Sequence, residues 1–180
     1  MKWLLLQLAS AMCVACGVAQ QPESAKTVAA FEISLPTKDE RDEFLAVLRR
    51  EAEAEGLHVD AADEQRLIQT GRDIPAAKMT LHAAVWRGTD DNESEAVIMD
   101  QADHLGRVWI MFSKGEDPRL ASQFREKAVR AIFARWPDTL ILPIMPTGAI
   151  PLHGDLVRTP KGYKVTTSAA AKYEVTDTKS

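Results

Sequence analysis

The sequence predicts an α+β fold, a two-layer sandwich in which two long helices cover one face of a mostly antiparallel sheet. Three observations carry this. Two segments, following Thr37 and Asp117, have helix-start signals and apolar residues at helical spacing. Three strand-like runs between Met79 and Phe112 are joined by short polar turns, the pattern of an antiparallel meander. A further alternating run precedes the first helix and a short apolar run follows the second. The length, 180 residues, suits one domain, and 46% hydrophobic with 27% charged residues is the balance of a globular chain.

Val28 to Leu35 alternates, with Phe31, Ile33 and Leu35 on one face and Glu32 and Ser34 on the other, so it reads as a half-buried strand. Pro36 ends it. Thr37-Lys38-Asp39-Glu40 is a capping box, and the helix it opens runs to about Glu55 before Gly56, with Phe44, Leu45, Val47, Leu48 and Ala52 inward. Leu57 to Ala61 is a short strand, and Asp63 to Gln69 a helical turn closed by Gly71. Met79 to Trp86, Glu95 to Gln101 and Val108 to Phe112 form the meander. Asp117-Pro118 opens the second helix, which buries Leu120, Phe124, Ala128, Ala131 and Ile132 and ends at Trp136-Pro137. Leu140 to Leu142, cut short by Pro143, reads as a sheet edge or strand end, and Leu156 to Val165 as a hairpin turning at Pro160-Lys161-Gly162. The order of these elements is close to the split βαβ of ferredoxin-like folds.

The N-terminus reads as an export signal. Lys2 precedes an apolar stretch, and the first acidic residue is Glu23. The stretch is shorter than the ~20 apolar residues a membrane span needs. Cys13-Val14-Ala15-Cys16 resembles a bacterial lipobox, with cleavage before Cys16 and lipid on its thiol, although Cys13 stands where leucine is usual. Gly17-Val18-Ala19 offers ordinary signal peptidase an alternative site after Ala19. The short leader and the polar stretch behind it favour lipidation, and Gly17 after the cysteine suggests the outer membrane. The chain therefore divides into a signal over 1–19, a tether over 20–26, one domain over 27–165 and a tail or short helix over 166–180. Both cysteines fall in the signal, which excludes thiol nucleophiles, thiolate zinc sites and disulfide staples from the domain.

Recognisable chemistry is sparse. His58 and Asp60 share one strand face, and Asp100, Asp103 and His104 gather near one turn; these are the two groupings a metal or hydrolytic site could use. His82 and His153 sit in no metal-binding pattern. Asp90 to Glu95 lacks the ligand spacing and glycine of a calcium loop. Ser113 and Ser122 lack a nucleophile-elbow setting, and no Gly-rich phosphate loop is present. Trp109 belongs to an apolar run and reads as core, whereas Trp86 stands on the polar side of its strand as a contact residue.

Charge is uneven. Gln20 to Asp117 holds 11 basic and 21 acidic residues, and Pro118 to Ser180 holds 10 basic and 5 acidic, so balances of −10 and +5 hide behind a net −4. Two explanations fit: an acidic first helix complementing a basic second one, or a field that steers a charged partner, with Arg119 and Arg130 as contacts. The net negative charge and the lack of a clustered basic patch argue against nucleic acid.

The expectation is a non-enzymatic binding protein of the bacterial envelope, without cofactor or metal, anchored by a lipid and engaging a protein partner. An immunity protein against a secreted toxin is one form of it. The alternative is a small periplasmic hydrolase or metal-dependent enzyme using His58/Asp60 or Asp100/Asp103/His104. Replacing Cys16 with Ser is expected to release the protein from the membrane fraction; a wild-type chain already soluble contradicts lipidation.

Overall fold

A computed structural model of the chain describes residues 22–73, 80–87, 94–100 and 106–173. It is an α+β fold built on one open, mostly antiparallel sheet of eight strands. In chain order the elements are β1 (Thr27–Ser34), α1 (Lys38–Glu53), β2 (His58–Ala61), α2 (Glu64–Asp73), β3 (His82–Trp86), β4 (Ser94–Asp100) and β5 (Arg107–Ser113). Then come α3 (Pro118–Arg135), β6 (Leu140–Ile141), β7 (Leu156–Thr159), β8 (Gly162–Val165) and α4 (Ala170–Tyr173). The strand order is β2-β3-β4-β5-β1-β6-β8-β7, with only the β6–β8 pairing parallel.

Local chemistry accounts for the helices. The Thr37 hydroxyl accepts from the Glu40 N–H at 3.2 Å, and the Glu40 carboxylate accepts from the Thr37 N–H at 2.9 Å, so the capping box is closed. Past the end of α1, Gly56 takes φ +72°, and the Leu57 N–H donates back to the Ala52 carbonyl. At α3 the Asp117 carboxylate accepts from the Arg119 and Leu120 N–H groups, and Pro118 occupies the first turn, where no donor is needed. The helix expected over Asp63 to Gln69 is longer, extending to Asp73.

The meander is as expected, with β3, β4 and β5 in antiparallel register. Met79 and the turns over 88–93 and 101–105 lie outside the described residues. The short strand before Pro143 is not an edge. It lies between β1 and β8, stops after Ile141, and is continued only by the Leu142 N–H donating to the Ala30 carbonyl. The hairpin of β7 and β8 extends the sheet beyond it, which makes β2 and β7 the edge strands. Gly162 is obligatory at that junction: a Cβ there would stand 2.3 Å from the Ile141 carbonyl oxygen. Within the segment read as a tether, Glu23–Ala25 forms a 3-10 turn, and the Ser24 and Lys26 carbonyls accept from the Gly115 and Lys114 N–H groups.

The core has two unequal parts. The larger joins Phe44, Leu45, Leu48 and Ala52 of α1 with Phe124, Ala128 and Ile132 of α3. These pack with Ile33, Val85, Ile98, Val108, Ile110 and Phe112 of the strands. The smaller, on the alternate residues of β1 and β5, holds Ala30, Trp109 and Leu142, with Met111, Ile144, Ile150, Leu156 and Tyr163 packed around them. The first strand is therefore not half-buried with Glu32 in water; Glu32 is only 3% exposed. The segment after Pro143 returns over this face and shuts water out. Phe124 is fully buried between α3 and Phe112 of β5. Phe124→Ala is expected to cost about 3–5 kcal/mol in denaturant unfolding; a loss under about 1 kcal/mol contradicts this packing.

Candidate functional site

The densest polar arrangement among the described residues is centred on Glu32. Its Oε1 accepts from Arg107 Nη1 at 2.9 Å and from the Tyr163 hydroxyl at 2.8 Å, and its Oε2 accepts from Trp109 Nε1 at 2.9 Å. Arg107 Nη1 also reaches the Tyr163 oxygen at 3.0 Å. His153 stands beside them, its Nε2 3.9 Å from Glu32 Oε2 and its ring between those of Trp109 and Tyr163. That separation is too long for a hydrogen bond.

Pairing geometry makes the cluster. Trp109 lies directly across β1–β5 from Glu32, and Arg107 lies two residues along on the same face. Tyr163 projects from β8, two strands away, and His153 opens the 3-10 turn His153–Asp155. Asp155 anchors that turn. It accepts from the Tyr173 hydroxyl at 2.6 Å and from Lys172 Nζ at 3.0 Å, and these two partners hold its carboxyl below its ordinary value.

Burial opposes the charge of Arg107, but the Glu32 carboxylate more than offsets this and raises the guanidinium above its ordinary value. Burial and the bond to Glu32 raise Tyr163 above its ordinary 10.0, so it remains a neutral donor. Both oxygens of Glu32 are engaged by donors. The carboxylate is thus an acceptor that joins segments, receiving two donors at Oε1 and one at Oε2.

The residues predicted from sequence are scattered around this cluster. His58 and Asp60 are exposed on edge strand β2, and Asp60 pairs with Arg66 of α2 at 3.4 Å. The Asp100 backbone closes β4, while Asp103 and His104 lie outside the described residues, as do Cys16 and Ala19. No group of three or more His, Cys, Asp or Glu able to hold a metal occurs among the described residues. Trp86 is half-buried opposite His58 in the β2–β3 register. Arg119 and Arg130 are exposed on α3, Arg130 beside a shallow hollow with Glu55, Gln123, Glu126 and Lys127. Because Trp86 faces away from α1 and α3, it cannot share one flat interface with those arginines.

The charge asymmetry is partly consumed inside the fold. Arg135 of α3 makes a two-pronged pair with Glu43 of α1, at 2.5 and 2.9 Å, and Lys127 pairs with Glu55 just beyond α1. On the sheet face opposite α1 and α3, Ala84, Val97 and Met111 form one cross-strand row, each half-buried, ending against buried Ala30. His82 and Trp86 flank the row on β3. No known protein family matches the chain, and no curated protein does. Among the described residues no helix is long and apolar enough to cross a membrane.

Sequence reasoning missed Glu32, Arg107 and Tyr163 as a unit. The available signal was a carboxylate within the apolar stretch from Val28 to Ile33 of β1. A folded-state phenol raised above 10.0 contributes stability that is complete below that pH and is lost as pH rises through the folded value. In an alkaline titration of phenolate absorbance, the difference between wild type and Tyr163→Phe is expected to titrate above 10.0. A midpoint at or below it contradicts the Glu32–Tyr163 bond.

Proposed function

We propose that this protein is an exported, non-enzymatic interaction module of the bacterial cell envelope. A lipid on Cys16 holds it to the outer membrane, and the sheet face opposite α1 and α3 receives a protein partner. The frame is a two-layer sandwich with α1 and α3 over one face. A ferredoxin-like element order is part of this proposal, supported by β1 lying between β5 and β6 with α3 joining those two strands.

The reading is carried by one observation. The row Ala84, Val97 and Met111, with Trp86 beside it, leaves apolar side chains half in water on a rigid sheet. Contiguous apolar surface on a polar domain marks a contact site, and tryptophan is the residue type that most often anchors one. Among the described residues, His58 and Asp60 lie exposed on β2, while Glu32 and Asp155 are engaged in holding segments together. A secreted toxin neutralised at this face is one partner of the expected kind.

Two surfaces are open to a partner, and they are separable by mutation. Immobilised protein is expected to capture a partner from envelope extract, to lose it with Val97→Lys or Trp86→Ala, and to keep it with Arg130→Glu. The opposite pattern overturns the sheet-face reading in favour of the basic surface of α3. In that case association is also expected to slow as salt is added.

A further inference from the structure

We propose that the chain from Pro143 to Tyr173 is a strap that opens from the sheet as a unit while the rest of the fold stays closed, with Glu32 as its catch. Internally the strap is well tied. The β7–β8 ladder runs over four residue pairs, the Thr166 N–H donates to the Asp155 carbonyl, and Lys172 and Tyr173 of α4 grip the Asp155 carboxylate. Its attachment to the remainder is thin. Strand β8 meets β6 at the single pair Ile141↔Gly162, and β6 has only two residues paired with β1. The apolar contact beneath the strap is the smaller cluster, whose fully buried members are Ala30, Trp109 and Leu142. A segment with dense internal bonding and sparse external contact is the kind that opens below the global unfolding free energy.

The donors around Glu32 divide along the same boundary. Arg107 and Trp109 belong to the sheet, and Tyr163 belongs to the strap. Opening removes one donor from Glu32, breaks the Arg107–Tyr163 bond and admits water, while the carboxylate keeps its bonds to Arg107 and Trp109. No charge is stranded, so the largest penalty for moving a buried segment away from a charge does not arise. Opening also uncovers Ala30 and Trp109, extending the row of Ala84, Val97 and Met111 across the sheet. What the enlarged face would bind rests on the function proposed above; the opening itself does not.

Hydrogen exchange on the full chain, with no partner present, tests the opening alone. In wild type, amides of β7 and β8 are expected to exchange at least about tenfold faster than those of β1 and β5. Tyr163→Phe is expected to speed the strap by about a further tenfold, the scale of one hydrogen bond to a charged acceptor, leaving β1, β5 and α3 unchanged. Strap and sheet exchanging at one common rate in wild type overturns the proposal. A Tyr163→Phe chain whose strap is no faster overturns Glu32 as the catch. Loss of partner capture with normal strap exchange counts against the proposed function and leaves the strap standing.

Discussion

A carboxylate at the centre of the sheet dictates much of this structure. Glu32 lies in the strand that is buried on both faces, and a buried charge costs several kcal/mol unless donors replace water. Arg107 and Trp109 arrive through the β1–β5 register, and Tyr163 arrives only if the chain beyond Pro143 folds back over that face. The requirement therefore links register, the return of the C-terminal segment and the burial of Trp109. Arg107, whose side chain remains 38% exposed, keeps part of its charge in water and so lowers the cost of the pair.

Local signals in the sequence were read reliably. The capping box at Thr37, the proline opening at Asp117 and the three strands of the meander rely on neighbours a few residues apart. Glu32 was misread because its burial depends on a residue 131 positions away. Alternation correctly put Phe31, Ile33 and Leu35 on one face. It could not say that the other face would also be covered, since the covering segment is punctuated by Pro and Gly and carries no period of its own. For the same reason Leu140 to Leu142 reads as a sheet edge or strand end: three residues before a proline give no hint of a partner on both sides.

The candidate site was less legible than the fold. Sequence spacing favoured His58 with Asp60, whereas three-dimensional convergence selected a Glu, an Arg, a Trp and a Tyr from separate strands. The division of charge between the two parts of the chain was visible at once, and Arg135–Glu43 and Lys127–Glu55 explain part of it as helix pairing. Polar groups able to do chemistry are thus employed in joining segments. The sheet face opposite α1 and α3 carries the half-buried row Ala84, Val97 and Met111 with His82 and Trp86 beside it, and the proposed binding role rests on that row.

The central claim is that one carboxylate couples the sheet to the segment lying over it. A double-mutant cycle on Glu32→Gln and Tyr163→Phe, read in the local opening free energy of β8, tests this most directly. A coupling of about 1.5–3 kcal/mol is predicted, the range for a hydrogen bond to a charged group. Additivity to within about 0.5 kcal/mol would contradict it.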